Sequence, residues 1–176
     1  MSEAATPTYH LWLKPSGAAY DVLAGTIQRL ARELQVPAFE PHVTLLAYLD
    51  GSEQEHRLRT AGLAERLAPS ECVLSKAAYL DEHFRCLFMV VDPTPTIMSW
   101  HAIAAQAFGK GAEAYMPHVS LVYGLFPESR KLEIIGALPA AVRTSFLVKS
   151  VTLIRSDSME PKDWHEIAEY PFRGHP

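Results

Sequence analysis

Cysteine is nearly absent from this sequence. Cys72 and Cys86 are the only two, too few for a disulfide framework or a zinc site. No apolar stretch approaches the length of a membrane span. Residues Met1 to Thr8 lack the basic flank and apolar run of a signal peptide. A soluble, cytoplasmic protein is expected. Positive charge is not in excess either: 16 Lys and Arg stand against 20 Asp and Glu, a net charge of −4. Broad binding to long nucleic acid needs many phosphate-neutralising side chains and is therefore not expected. A small anionic substrate held in a local pocket remains compatible with that balance. Low-complexity segments, linkers and short-period repeats are also missing.

What is there is an ordinary globular mixture, 48% hydrophobic and 20% charged over 176 residues. That length can bury a core without covalent staples, and one domain spanning 1–176 is expected. Residues 8–14 alternate like a half-buried strand. Leu23, Ile27, Leu30 and Leu34 then form the stripe of an amphipathic helix over about 18–35. A strand is expected at 41–49. Ser52-Glu53-Gln54-Glu55 has the capping-box pattern, with a helix following to about Leu67. Strands at 71–80 and 84–91 are expected to form a hairpin closed by a tight turn at Asp81-Glu82. Its register sets Ala77, not Cys72, opposite Cys86, which argues against a disulfide. Thr94-Pro95 reads as the start of a helix over about 95–109. A strand at 117–124, a loop or short helix near 128–136, one long strand at 143–155 and a last strand at 163–171 complete the chain. This order suggests an α+β fold, bilobal, with two antiparallel sheets facing a central cleft and helices on the outside.

Two strings nearly repeat one another, 76 residues apart: Pro41-His42-Val43-Thr44-Leu45 and Pro117-His118-Val119-Ser120-Leu121. Side chains alternate along a strand. His42 and Thr44 therefore share one face and Val43 and Leu45 the other, and the second string behaves alike. With the apolar pairs in a core, the polar pairs face a cleft. About 6–7 Å separates each histidine from its hydroxyl partner, the span of a phosphate with its oxygens. Two imidazoles can act as base and acid near neutrality, and Thr44 and Ser120 can hydrogen-bond non-bridging oxygens. A lone His-x-Thr on a strand is usually structural; the duplication is what raises a catalytic reading above it. No metal or other cofactor is demanded, and His-Glu-x-x-His, Cys-x-x-Cys and Gly-x-Ser-x-Gly strings are absent.

On these residues the chain resembles the two-histidine phosphoesterase superfamily, and within it is most similar to the cyclic phosphodiesterases of plants and yeast. The extended strings Phe39-Glu40-Pro41-His42-Val43-Thr44 and Tyr115-Met116-Pro117-His118-Val119-Ser120-Leu121-Val122-Tyr123 carry the likeness, with Tyr9-His10-Leu11-Trp12 and Trp164-His165-Glu166 in support. The resemblance implies metal-independent hydrolysis of ADP-ribose 1″,2″-cyclic phosphate and of nucleoside 2′,3′-cyclic phosphates, with a small nucleotide as partner and a monomer favoured. It makes His42 and His118 the catalytic pair, Thr44, Ser120 and Tyr123 phosphate ligands, and Trp12 a platform for stacking a base. His118 is assigned as base and His42 as acid, an assignment that the symmetry of the two strings leaves open to exchange. The alternatives are an enzyme of the same superfamily acting on RNA 2′,3′-cyclic phosphate ends, like the 2′-5′ RNA ligase proteins, and a module that binds cyclic phosphates without cleaving them.

Other residues carry less. Tyr123 has the opposite parity to Ser120, so only a twist or a strand end can turn it towards the phosphate. His10 shares a face with Trp12 and can reach substrate if that face lines the cleft. His101 reads as packing, His56 and His83 as surface residues, and His175 as part of a frayed tail. His165 can be either. Lys14, Arg85, Lys149 and Arg155 can offset substrate charge, but scattered basic residues are normally solvated.

Overall fold

The computed structural model describes residues 6–111 and 114–175. Eight strands and four α-helices follow one another as β1 (Thr8–Leu13), α1 (Gly17–Leu34), β2 (Val43–Leu49), α2 (Glu53–Ala64), β3 (Ser70–Ala78), β4 (Leu87–Val91), α3 (Pro95–Ala107), β5 (His118–Val122), α4 (Glu128–Ala137), β6 (Ser145–Val148), β7 (Ser150–Ser156) and β8 (Trp164–Pro171). The helix starts read from sequence are realised locally. Ser52 Oγ accepts from the Glu55 N–H at 3.3 Å and Thr94 Oγ1 from the Ile97 N–H at 3.4 Å, each satisfying one orphan donor of a first turn. Pro95 occupies the first turn of α3, where its missing N–H costs nothing.

The strands lie in the order β6-β3-β4-β5-β2-β1-β7-β8, and every neighbouring pair is antiparallel. The α+β fold with two antiparallel halves is thus as expected. The halves meet edge to edge through β5 and β2, at the single pair Val43↔Val119. The expected strand 143–155 is two strands, β6 and β7, with only Lys149 between them. β6 is one edge of the sheet and β7 lies next to the other edge, so one residue of chain connects nearly opposite ends. A residue spans at most about 3.3–3.6 Å. The sheet must therefore curl until its ends approach, and its concave face becomes a cleft.

The opposite face holds the core. Leu11, Leu13, Val43, Leu45, Val119, Leu121, Val151 and Leu153 are all completely buried. Each half-sheet is backed partly by a helix from the other half. α1 packs on β5 and β6, α3 on β2 and α2, and α2 on β7 and β8. The helical stripe of α1 supplies Leu23, Ile27 and Leu30 to one contiguous cluster spanning both halves. The elements β1-α1-β2 and β4-α3-β5 repeat each other around the seam, and that places the two Pro-His strings side by side.

The hairpin differs from expectation. β4 begins at Leu87, so residues 79–86 form a loop rather than a tight turn, and Ala77 pairs with Met89. Cys72 lies opposite Phe146 on β6, and both cysteines are free and buried. The loop is tied down by Lys131, whose buried ammonium donates to Leu80 O at 2.9 Å and to Asp81 at 2.5 Å.

His56 is a second correction. It is 2% exposed rather than on the surface, because its side of α2 packs between Tyr9 and Phe108. Neither ring nitrogen has a partner among the described residues, and an unmade buried hydrogen bond costs about 1–3 kcal/mol. Burial pushes its pKa below 6.5. The unfolded chain then binds the proton more readily, so this residue subtracts stability as pH falls below 6.5. His56→Leu is expected to raise Tm by about 2–8 °C and to flatten the acid limb of stability. Calorimetry at pH 5 and pH 8 checks it; an unchanged or lower Tm at both contradicts it.

Candidate active site

The seam pair Val43↔Val119 fixes the arrangement of the repeated strings. Both valines are buried in the core. In an antiparallel pair the residues on either side also face one another across the strands. His42 therefore lies across from Ser120, and Thr44 across from His118, all four on the cleft face. The cleft, of about 790 Å³, is lined by all four. Strand parity and the duplication together make this assembly, with His42 one residue ahead of β2 and Thr44, His118 and Ser120 on their strands.

Both histidines are held in the same way. His42 Nδ1 lies 2.7 Å from Glu40 O, and His118 Nδ1 lies 2.8 Å from Met116 O. A carbonyl only accepts, so each Nδ1 carries the proton, and each Nε2 is left as the group facing its chemistry. The bonded carbonyl belongs to the residue before proline in each string. Proline holds its own φ near −65° and keeps the preceding residue extended. Pro41 and Pro117 thus present those carbonyls rigidly, which gives the prolines a role the sequence reading did not assign them.

Burial lowers both imidazoles. His42 is pushed down to about 3, chiefly by desolvation, against which the Glu40 carbonyl bond acts; His118 and His10 nearby lower it further. His118 is lowered by burial too, offset by its Met116 bond. His10 is pushed down to about 4 by burial, and it lines the same cleft. His10, His42 and His118 are therefore neutral where they face the cleft at pH 7.

The hydroxyls differ. Ser120 Oγ donates to Phe84 O at 3.0 Å, whereas no protein group among the described residues bonds the Thr44 hydroxyl. The Thr44 carbonyl accepts from the Tyr115 hydroxyl at 3.1 Å. Tyr123 is turned into the cleft because β5 ends at Val122, which breaks the parity that pointed it away. Its ring stacks on Phe39 at 3.9 Å. Burial raises its phenol, and the adjacent Ser120 hydroxyl offsets part of that.

Trp12 is engaged differently from expectation. It pairs with Thr44 across β1 and β2, which makes His42 its diagonal neighbour on the same face. The indole lies flat on the His42 imidazole, centroids 3.5 Å apart and planes within 7°. It lines the cleft, but with one face on His42 and only 6% exposure it offers a base little open surface. Trp164 closes an aromatic wall, edge-on to Trp12 at 5.7 Å and to Tyr123 at 5.9 Å.

The cleft also takes in residues that sequence reasoning left outside it. His83 and Phe84 come from the 79–86 loop, whose position depends on Gly124 N–H donating to His83 O at 3.0 Å. His101 lines the cleft, stacked on Tyr115 at 4.0 Å, with Nδ1 on Leu45 O at 2.9 Å. A signal existed for the aromatics: Phe39 and Tyr115 stand three residues before His42 and His118, at the same offset in both strings. Three of the basic candidates are paired with carboxylates, and of these Arg85 also lines the cleft near His118. Lys14 bonds Glu40 and Glu166, Arg85 bonds Glu82, and Arg155 bonds Asp157. Among the described residues no helix is long and apolar enough to cross a membrane.

A curled antiparallel sheet carrying a paired His-φ-Thr/Ser-φ site defines a class, the two-histidine phosphoesterases. The chain belongs to the 2′-5′ RNA ligase superfamily, whose model matches residues 19–160. It is 28% identical over 136 residues to a cyclic phosphodiesterase of Arabidopsis thaliana, covering 74% of this chain and 73% of that protein. Among solved structures it is similar to TT0787 of Thermus thermophilus, with a TM-score of 0.69 at 17% identity, covering 96% of this chain and all of that one. It is similar also to apo LigT of E. coli, with a TM-score of 0.64 at 15% identity, covering 96% and 99%. LigT has also been solved complexed with 3′-AMP and with ATP. At these identities the structures establish the shared fold.

Proposed function

We propose that this chain is a cyclic phosphodiesterase that works without metal, opening ADP-ribose 1″,2″-cyclic phosphate and nucleoside 2′,3′-cyclic phosphates to the 1″- or 2′-phosphomonoester. The observation that carries this reading is the cross-strand square His42, Ser120, Thr44 and His118 on one cleft face. The reading takes residues 1–176 as one domain of two related lobes.

In this scheme the cyclic phosphate sits between the two Nε2 atoms. Water attacks phosphorus from the His118 side and gives its proton to that Nε2. The ring P–O bond breaks on the other side, and the leaving oxygen takes a proton from His42 Nε2. Charge that builds on the non-bridging oxygens is met by the Thr44 and Ser120 hydroxyls and the Tyr123 phenol. The deeper lowering of His42 by itself favours His118 as proton carrier. A bound phosphodiester anion opposes the lowering at both rings. The indole beneath His42 acts on that ring alone, and a cation over a desolvated indole is stabilised by about 2 kcal/mol. That gain is smaller than the fall of His42 from 6.5 to about 3, so it narrows the difference between the rings; His42 is taken as the acid and His118 as the base, with Trp12 packed on His42.

The family description keeps an RNA-end substrate as the second reading, and the net charge of −4 favours the small one. The test incubates the protein, with chelator present, with 2′,3′-cyclic AMP, ADP-ribose 1″,2″-cyclic phosphate and a short RNA ending in a cyclic phosphate. Turnover of the small compounds is expected. Turnover of RNA alone overturns the proposal in favour of the second reading, binding without turnover overturns it altogether, and loss of activity with chelator contradicts the metal-free mechanism.

A further inference from the structure

β2 takes six residue steps, Val43 to Leu49, to cover the four steps of β1 from Leu13 to Tyr9. Two residues are therefore extra, and β2 bulges away from its partner. Tyr48 falls between the pairs Leu46↔Leu11 and Leu49↔Tyr9, with φ at 53°. Bulges that place a residue in the left-handed region ordinarily use glycine, because a Cβ there meets the carbonyl that follows. A tyrosine in that position carries backbone strain. It is held there from outside the strand, by Lys110 Nζ donating to the Tyr48 carbonyl at 2.7 Å.

The ring does not repay that strain by filling the core. It is 59% exposed, and it is the one aromatic among the large exposed apolar side chains of the described residues. It stands on the cleft wall, edge-on to His10 at 5.3 Å. Bulges next to active sites re-aim side chains, and strained residues cluster where a ligand is gripped. Its location relative to the proposed phosphate site follows from β1. His10 lies two residues, about 7 Å, along that strand from Trp12, and Trp12 lies flat on His42. An exposed ring at that remove on the cleft wall has the position and the chemistry to stack the flat base of a nucleotide whose phosphate sits at the histidines.

We propose that Tyr48 is the stacking platform for the nucleobase, aimed into the cleft by the bulge and fixed by Lys110. This rests on the cyclic phosphodiesterase reading and names the part of the substrate that reading left without a partner once Trp12 was found covered. A phenol ring offers a π-face to any base, so the platform tolerates all bases and favours the larger purines.

Tyr48→Gly separates this role from a structural one, because glycine relieves the left-handed strain while removing the ring. Its Tm is expected to equal or exceed that of the wild type. The kcat/KM for 2′,3′-cyclic AMP, relative to that for glycerol 1,2-cyclic phosphate, which has no base, is expected to fall about 10–100-fold, carried by KM. Tyr48→Phe should restore the ratio. An unchanged ratio in Tyr48→Gly overturns the proposal. Should the wild type open neither compound, the phosphodiesterase reading fails by itself, and calorimetric affinity for adenosine 2′-monophosphate still decides the platform. A 10–100-fold weakening in Tyr48→Gly supports it and equal affinity overturns it.

Discussion

Replacing His42 or His118 by alanine is expected to reduce turnover of a nucleoside cyclic phosphate by about 10²–10⁴-fold. The double replacement should be little worse than either single one, because the two rings act on one transition state. The two losses should differ in kind. A p-nitrophenolate leaving group needs no proton, so a p-nitrophenyl phosphodiester should recover much of the activity of His42→Ala and little of that of His118→Ala. The reverse pattern would exchange the roles of acid and base. Near-normal hydrolysis by either variant would remove the shared mechanism.

The pH dependence follows from burial. Both imidazoles titrate below 6.5 in the free protein, His42 near 3. Catalysis needs one protonated and one neutral ring. As pH falls from 7 the productive singly protonated pair becomes more populated, and it is lost again when the second ring is protonated. The bell in kcat/KM should therefore lie on the acid side of 6.5. Its position is a property of the pair and does not say which ring carries the proton; the leaving-group comparison does. In the complex the substrate anion raises both rings, so kcat should peak at higher pH. An optimum in kcat/KM above about 7.5 would contradict the burial argument.

The core of this site was legible because it depends on short-range rules. Strand alternation alone sets His42 and Thr44 on one face, and the second string repeats that pattern. What was not legible depends on register and loops. Nothing in Leu147-Val148-Lys149-Ser150-Val151 breaks the strand pattern, so the change of partner at Lys149 is invisible in the chain. Phe84, Arg85 and Cys86 read as strand on their own, yet Ser120 Oγ and Gly124 N–H hold the Phe84 and His83 carbonyls in a loop over the cleft. The stacking of Trp12 on His42 requires the register Trp12↔Thr44 of β1 against β2, and Tyr48 owes its aim to the bulges further along that pair. The carbonyl grip on each Nδ1 lies between these cases, since the proline that enforces it was visible and its consequence was not.

The difference between the two hydroxyls leads to an unequal expectation at the phosphate oxygens. Two apparently equivalent groups, Thr44 and Ser120, face the proposed site. Removing a preorganised donor to developing charge costs about 10²–10³-fold in kcat, and Thr44→Val should show a loss of that size, because no described residue bonds its hydroxyl and it can donate to a phosphate oxygen. Ser120 has a single proton, already given to Phe84 O at 3.0 Å. To serve the phosphate it must give up that bond, so its net contribution is the difference between two hydrogen bonds. Ser120→Ala should cost about 10-fold, less than Thr44→Val. The adjacent phenol of Tyr123 couples to Ser120, so Tyr123→Phe and Ser120→Ala should combine to less than the product of their separate losses. Thr44→Ser, which keeps the hydroxyl, should stay near wild type. Equal losses in Thr44→Val and Ser120→Ala would mean that Ser120 turns from Phe84 to the substrate without cost, and that the loop over the cleft is not anchored through it.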